Sequence, residues 1–206
     1  MSKSLSIVSL AALALVASNA SATYLANGGF ELGTGSDATG WIEGGSNSGR
    51  VENNARSGIA AMRLFANAPA ASLALQNSVA DGGLPDLVGG ELLTLTIWAK
   101  GSTGDTGNVN YALRYLDMNG NILYNSGTQF LNGLTSSYQA YTFTPSAVPV
   151  GANAAFLELV GASGPTDPNR PLEVYIDDVS LVAIPEPTTL GLASVALLGL
   201  ARRRRA

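Results

Sequence analysis

The sequence predicts an all-β fold, a two-sheet sandwich, and three observations point there. Between residues 23 and 183 no long stretch keeps the 3.6-residue period of an amphipathic helix. Short runs alternate apolar and polar residues instead, separated by clusters of Gly, Asn, Asp and Pro. Such runs recur roughly ten times, at the spacing of two packed antiparallel sheets. The one helix-like stretch is the Ala-rich 69–80, which Ser72, Gln76, Asn77 and Ser78 weaken.

The order along the chain begins with an address. Lys3 precedes an almost unbroken apolar run from Leu5 to Val16, and Ala20-Ser21-Ala22 follows with a small-x-small pattern. That describes a secretory signal peptide over 1–22, cut before Thr23, with Ser18-Asn19-Ala20 as an alternative site two residues earlier. The run is too short for a membrane span of about 20 residues.

Residues 23–184 form the expected folded body. Strands are expected near 59–66, 72–79, 91–100, 108–117, 138–144, 154–160 and 172–183, with shorter ones at 41–44, 121–124 and 128–131. Asp117-Met118-Asn119-Gly120-Asn121 reads as a turn, because Asn and Gly tolerate positive φ. The segments 101–108 and 161–171 read as loops.

A third segment follows the body. Pro185-Glu186-Pro187 ends the last strand, since Pro cannot donate to a ladder. An apolar stretch, Thr188 to Ala201, and then Arg202, Arg203, Arg204 and Arg205 complete it. Fourteen apolar residues are short for a span, but a cationic cluster beyond them acts as a cytoplasmic stop, and long side chains snorkel. The segment 185–206 resembles the PEP-CTERM sorting signal in the order and spacing of these features. The resemblance implies an exosortase as partner, transient anchoring in the cytoplasmic membrane through a short hydrophobic helix, and final placement at the cell surface or in the extracellular matrix.

Composition narrows the chemistry. The 206 residues include no Cys and no His. Thiol nucleophiles, disulfides, thiolate or imidazole metal centres and Ser-His-Asp triads are therefore excluded. Within 23–184 there are 6 basic and 14 acidic residues, a net charge of −8. A polyanionic nucleic acid is not a partner such a body attracts. An enzyme of this composition would have to work through carboxylates.

Patches across the body resemble the galactose-binding-like jelly rolls found among carbohydrate-binding modules. They are Asn27-Gly28-Gly29-Phe30-Glu31, Gly40-Trp41, Ser57-Gly58, Ala61 to Leu64, Gln76, Leu93 to Gly101, Val148-Pro149 and Val174 to Leu181. The resemblance implies a two-sheet jelly-roll β-sandwich whose first and last strands pair. It also implies a structural Ca²⁺ at positions matching Glu31 and one of Asp177 and Asp178. Strict alternation puts those two aspartates on opposite faces, which leaves one as ligand, Asp178 by preference. Hydrogen bonding of Glu31 to backbone is the other role open to it.

Two further readings concern ligands. On the strand Leu93 to Lys100, Leu93, Leu95, Ile97 and Ala99 make an apolar face, which leaves Trp98 outside among Thr94, Thr96 and Lys100. An exposed indole there is a platform for a sugar ring, and Asn110 and Arg114 on the next strand are expected to supply hydrogen bonds beside it. A loop covering Trp98 is the alternative. Trp41 is read as core. The expected function is an exported, non-enzymatic protein that binds carbohydrate or exopolysaccharide. A structural matrix protein without a ligand pocket and a carboxylate glycoside hydrolase are the alternatives.

Overall fold

The computed structural model describes residues 23–45, 47–67, 70–83, 87–101, 108–162 and 171–184. The expected signal peptide (1–22), the sorting segment (185–206) and most of the two expected loops lie outside the described residues.

Thirteen strands form in chain order: β1 (Gly33–Thr34), β2 (Asp37–Ala38), β3 (Ile42–Gly45), β4 (Gly49–Glu52), β5 (Ala60–Ala66), β6 (Ala71–Asn77), β7 (Leu93–Gly101), β8 (Asn108–Leu116), β9 (Ile122–Asn125), β10 (Gln129–Phe130), β11 (Gln139–Phe143), β12 (Ala154–Ala162) and β13 (Leu172–Ala183). β1 and β2 pair as a small ribbon. One sheet runs β10-β8-β12-β6-β3, with β9 also on β8, and the other runs β11-β7-β13-β5-β4. Every pairing is antiparallel. The all-β expectation holds.

Alternation produces the core. Leu93, Leu95, Ile97 and Ala99 of β7 are buried, as are Val174, Ile176 and Leu181 of β13. They meet Val109, Tyr111, Leu113 and Tyr115 of β8 and Leu157 and Leu159 of β12. Trp41 is buried against Phe30 at 5.0 Å, so it is core as expected. The strand expected at 72–79 is β6, and the helix-like character of its alanines does not prevail. Its buried Gln76 explains why: Nε2 donates to Ala26 and Gly40 carbonyls at 2.9 and 2.7 Å, and Oε1 accepts the Ala26 N–H. A helix would not bring that amide to two chain segments at once.

The ends of the body come together. The Tyr24 N–H bonds the Leu181 carbonyl at 2.7 Å, and the Val179 N–H bonds the Gly28 carbonyl at 2.9 Å. A Cβ on Gly28 would stand 1.8 Å from the Val179 oxygen, so this approach needs glycine. The 117–121 turn is also present, with the Asp117 carboxylate accepting the N–H groups of Asn119 and Asn121 at 2.8 Å each.

Candidate functional site

The residues singled out from the sequence fall into two groups on opposite outer faces. β7 and β8 are consecutive in the chain but belong to different sheets. Asn110 and Arg114 therefore do not lie beside Trp98. Alternation gave the correct face of each strand; it carries no information about which strands are neighbours.

The first group surrounds Trp98. Asp177 of β13 is its cross-strand partner. The register of β13 shifts between Asp177 and Ser180, and Asp178 has φ 46°, a left-handed conformation that Asp tolerates. This bulge overturns the expectation that the two aspartates face apart. Both reach the loop at 53–59. Buried Asp177 accepts the N–H groups of Arg56 at 2.7 Å and Ser57 at 3.1 Å. Asp178 holds the Arg56 guanidinium in an ion pair and accepts the Ser57 hydroxyl at 2.8 Å. Burial pushes the Asp177 carboxyl above the usual Asp range, outweighing the lowering by its peptide donors.

Glu31 joins this cluster from the start of the body. Its carboxylate accepts the N–H groups of Ile59 at 3.1 Å and Ala60 at 3.2 Å. Asp177 and Asp178 oxygens and the Glu31 methylene stem all come near Gly29, with the Glu31 carboxylate turned to Ile59 and Ala60. Their arrangement does not fit a divalent cation centred on Asp178, because the Arg56 guanidinium already holds that carboxylate. Among the described residues, no group of three or more acidic side chains is disposed to hold a metal ion.

Arg56 also decides the state of Trp98. Its Cζ lies 3.6 Å from the indole centroid, so the ring face expected to receive a sugar carries a guanidinium. The covered alternative is what the structure shows. Nothing in the Gly/Asn/Ser-rich sequence of this loop marks Arg56 in advance.

The second group lies on the outer face of the β10-β8-β12-β6-β3 sheet. Phe130, Asn110, Val160, Leu73 and Gly44 succeed one another across five strands. The next row is Ala112, Glu158, Leu75 and Ile42, followed by Arg114, Phe156 and Asn77. Phe130 is 51% and Ile42 55% exposed. In the middle, Arg114 Nη2 donates to Glu158 Oε2 at 2.8 Å, with its Cζ 5.6 Å from the Phe156 ring. The face is broad and apolar, with two phenyl rings and one ordered charged pair. Glu158, Phe130 and Phe156 were not singled out from the sequence. The Glu158 position in an apolar strand, Phe-Leu-Glu-Leu-Val, was the available signal.

A shallow cavity of about 410 Å³ opens at Glu52, Asn53, Ala55, Gly58 and Ile59, on the loop that carries Arg56. No helix among the described residues is long and apolar enough to cross a membrane.

The sorting segment can be settled by comparison. Pro185, Glu186, Pro187 and the four arginines all fall within residues 183–205, which match the PEP-CTERM protein-sorting motif. This segment is a PEP-CTERM sorting motif. No curated protein matches the sequence. Among solved structures, the chain is similar to the enzymatically active domain of bacteriophage CBA120 tailspike protein 4, with TM-score 0.61 and 18% identity. That likeness covers 79% of this chain and 21% of the tailspike chain, so the chain spans about a fifth of that protein. TmCBM61, solved in complex with β-1,4-galactotriose, is similar at TM-score 0.52 and 20% identity, covering 80% of this chain and 100% of the other. A carbohydrate-binding module of the β-sandwich superfamily is similar at TM-score 0.52 and 14% identity, over 79% and 63% of the two chains. The body preceding the PEP-CTERM motif thus has the fold of carbohydrate-binding-module β-sandwiches.

Proposed function

We propose that this is an exported, non-enzymatic carbohydrate-binding protein, processed by an exosortase at Pro185-Glu186-Pro187 after transient membrane anchoring and then held at the cell surface or in the extracellular matrix. The PEP-CTERM motif at 183–205 supports the sorting half of this reading. The outer face around Asn110 and Arg114 carries the binding half. Sugar rings present flat C–H faces and a rim of hydroxyls. Phe130 and Phe156 offer surfaces to stack on, and Arg114, Glu158 and Asn110 offer donors and acceptors that fix orientation.

A hydrolase reading is less well supported. It needs two carboxyl groups flanking an open cleft. Glu31 and Asp177 spend their oxygens on peptide N–H groups, and Glu158 is paired with Arg114. The neighbours whose names declare binding modules make the sugar reading the simpler one.

The test is retardation of the purified protein in gels containing neutral polysaccharides, β-1,4-galactan among them. At least one polymer is expected to retard it, and Phe130→Ala and Arg114→Ala are each expected to weaken that retardation about tenfold, the loss of one anchor contact. Mobility unchanged by any polymer would leave a matrix protein without a sugar ligand.

A further inference from the structure

The outer face of the other sheet differs in chemistry. Arg63 on β5 lies opposite Tyr175 on β13, and Tyr175 lies opposite Lys100 on β7. The Lys100 ammonium stands 4.9 Å from the Tyr138 ring and 5.3 Å from the Tyr175 ring. Arg63 Cζ lies 4.4 Å over the Phe65 ring. Cations and aromatic rings therefore alternate across β7, β13 and β5 and the residue preceding β11, a row of about 14 Å at ~4.8 Å per strand.

The two tyrosine rings are fixed in place. The Tyr138 hydroxyl donates to the Asn54 carbonyl at 2.7 Å, and the Tyr175 hydroxyl donates to Glu173 at 2.8 Å. Their faces are therefore preorganised, which spares a ligand part of the ordering cost.

Charge singles out Lys100. Arg50, Arg56, Arg63 and Arg114 are each ion-paired with a carboxylate. Lys100, among the described residues, has no carboxylate within 4.0 Å, although acidic groups outnumber basic ones by eight in the body. Its neighbours are two rings, and cation–π contact leaves an ammonium's N–H donors free for an anion.

We propose that this row is a second ligand site, which takes a carboxylate-bearing sugar unit of an acidic polysaccharide. The Lys100 ammonium pairs with the uronate carboxylate, and the Tyr138 and Tyr175 faces pack against the sugar rings. One free cation suits a polymer with one carboxylate per sugar. The net negative body repels any polyanion, and a duplex nucleic acid, with one phosphate per ~1.7 Å of axis, more strongly than a polyuronate. The site lies on the opposite sheet from the Arg114 face and does not depend on sugar binding there.

The experiment is affinity electrophoresis of the purified full-length protein in polygalacturonate and in its fully methyl-esterified form, which keeps the rings and removes the charge. Polygalacturonate is expected to retard the protein, and raised salt or esterification to abolish most of that effect. Lys100→Gln is expected to weaken binding about tenfold with an unchanged melting temperature, the worth of one charge-assisted hydrogen bond. Lys100→Arg should retain it, and Phe130→Ala, which tests the other face, should leave it intact. Wild-type retardation by Lys100→Gln, equal retardation by the esterified polymer, or no retardation by polygalacturonate would each overturn the proposal.

Discussion

The Arg56 guanidinium packs on the Trp98 indole at 3.6 Å while its other side holds Asp178. One loop side chain thus joins β7 to the bulge of β13. Trp is the aromatic ring that attracts a cation most strongly, and the half-exposed ion pair adds a smaller contribution. Arg56→Ala is expected to lower stability by about 1–2 kcal/mol. Urea unfolding checks this, and Arg56→Lys should recover part of the loss.

A calcium ion on Asp178 would have to displace Arg56 from that carboxylate. With the guanidinium in place, chelation is expected to leave the melting temperature of the wild-type protein unchanged. Arg56→Gln vacates Asp178 and leaves the adjacent Asp177 and Asp178 carboxylates without their counter-charge. Added Ca²⁺ should then raise the melting temperature of that variant. Thermal scans with and without chelator decide, and a chelator-sensitive wild type would return the cluster to the cation role.

Trp98 now has a different expected phenotype from that of a sugar platform. Trp98→Ala removes a large half-buried ring and the seat of Arg56, at a cost of about 2–3 kcal/mol. Neutral-polysaccharide binding should be unaffected at temperatures where the variant is folded. Loss of that binding from a folded variant would show that a sugar displaces Arg56 from the ring.

Much of the fold was legible because alternation is a local signal. Leu93 to Ala99 face inwards exactly every second residue, so β7, β8, β12 and most of β13 could be read directly. Pairing is a long-range property, and so the placement of β7 and β8 in separate sheets was not readable. The bulge at Asp178 left a trace that strict alternation overlooks: the buried apolar positions pass from Val174 and Ile176 to Val179 and Leu181, a step of three residues. Glu31 lies near the two aspartates, while the donor that meets those aspartates, Arg56, came from a loop with no periodicity. β6 was legible despite its alanines, whose helix preference the Gln76 contacts and cross-strand packing override.

Glu43 gives a test by pH. It is half-buried and its carboxylate accepts the Ala38 N–H at 2.8 Å. Burial raises its carboxyl above the ordinary Glu value, more than that peptide contact lowers it. The folded state then binds more protons than the unfolded state between the ordinary and the raised value. Stability contributed by this group falls as pH rises through that window. The difference in unfolding free energy between wild type and Glu43→Gln should therefore decline with rising pH across it. A difference that is flat or increases would contradict the burial account.

Chemical-shift mapping tests the central claim most directly. A neutral polysaccharide fragment that binds is titrated into isotopically labelled protein, and the perturbed amides are located. The account predicts that they cluster at 110–114, 129–130, 156–160 and 73–75, the strands bearing Arg114, Phe130, Phe156 and Glu158, while 53–59 and Trp98 stay still. Perturbations centred on Trp98 and the Arg56 loop, with the Arg114 face silent, would contradict it.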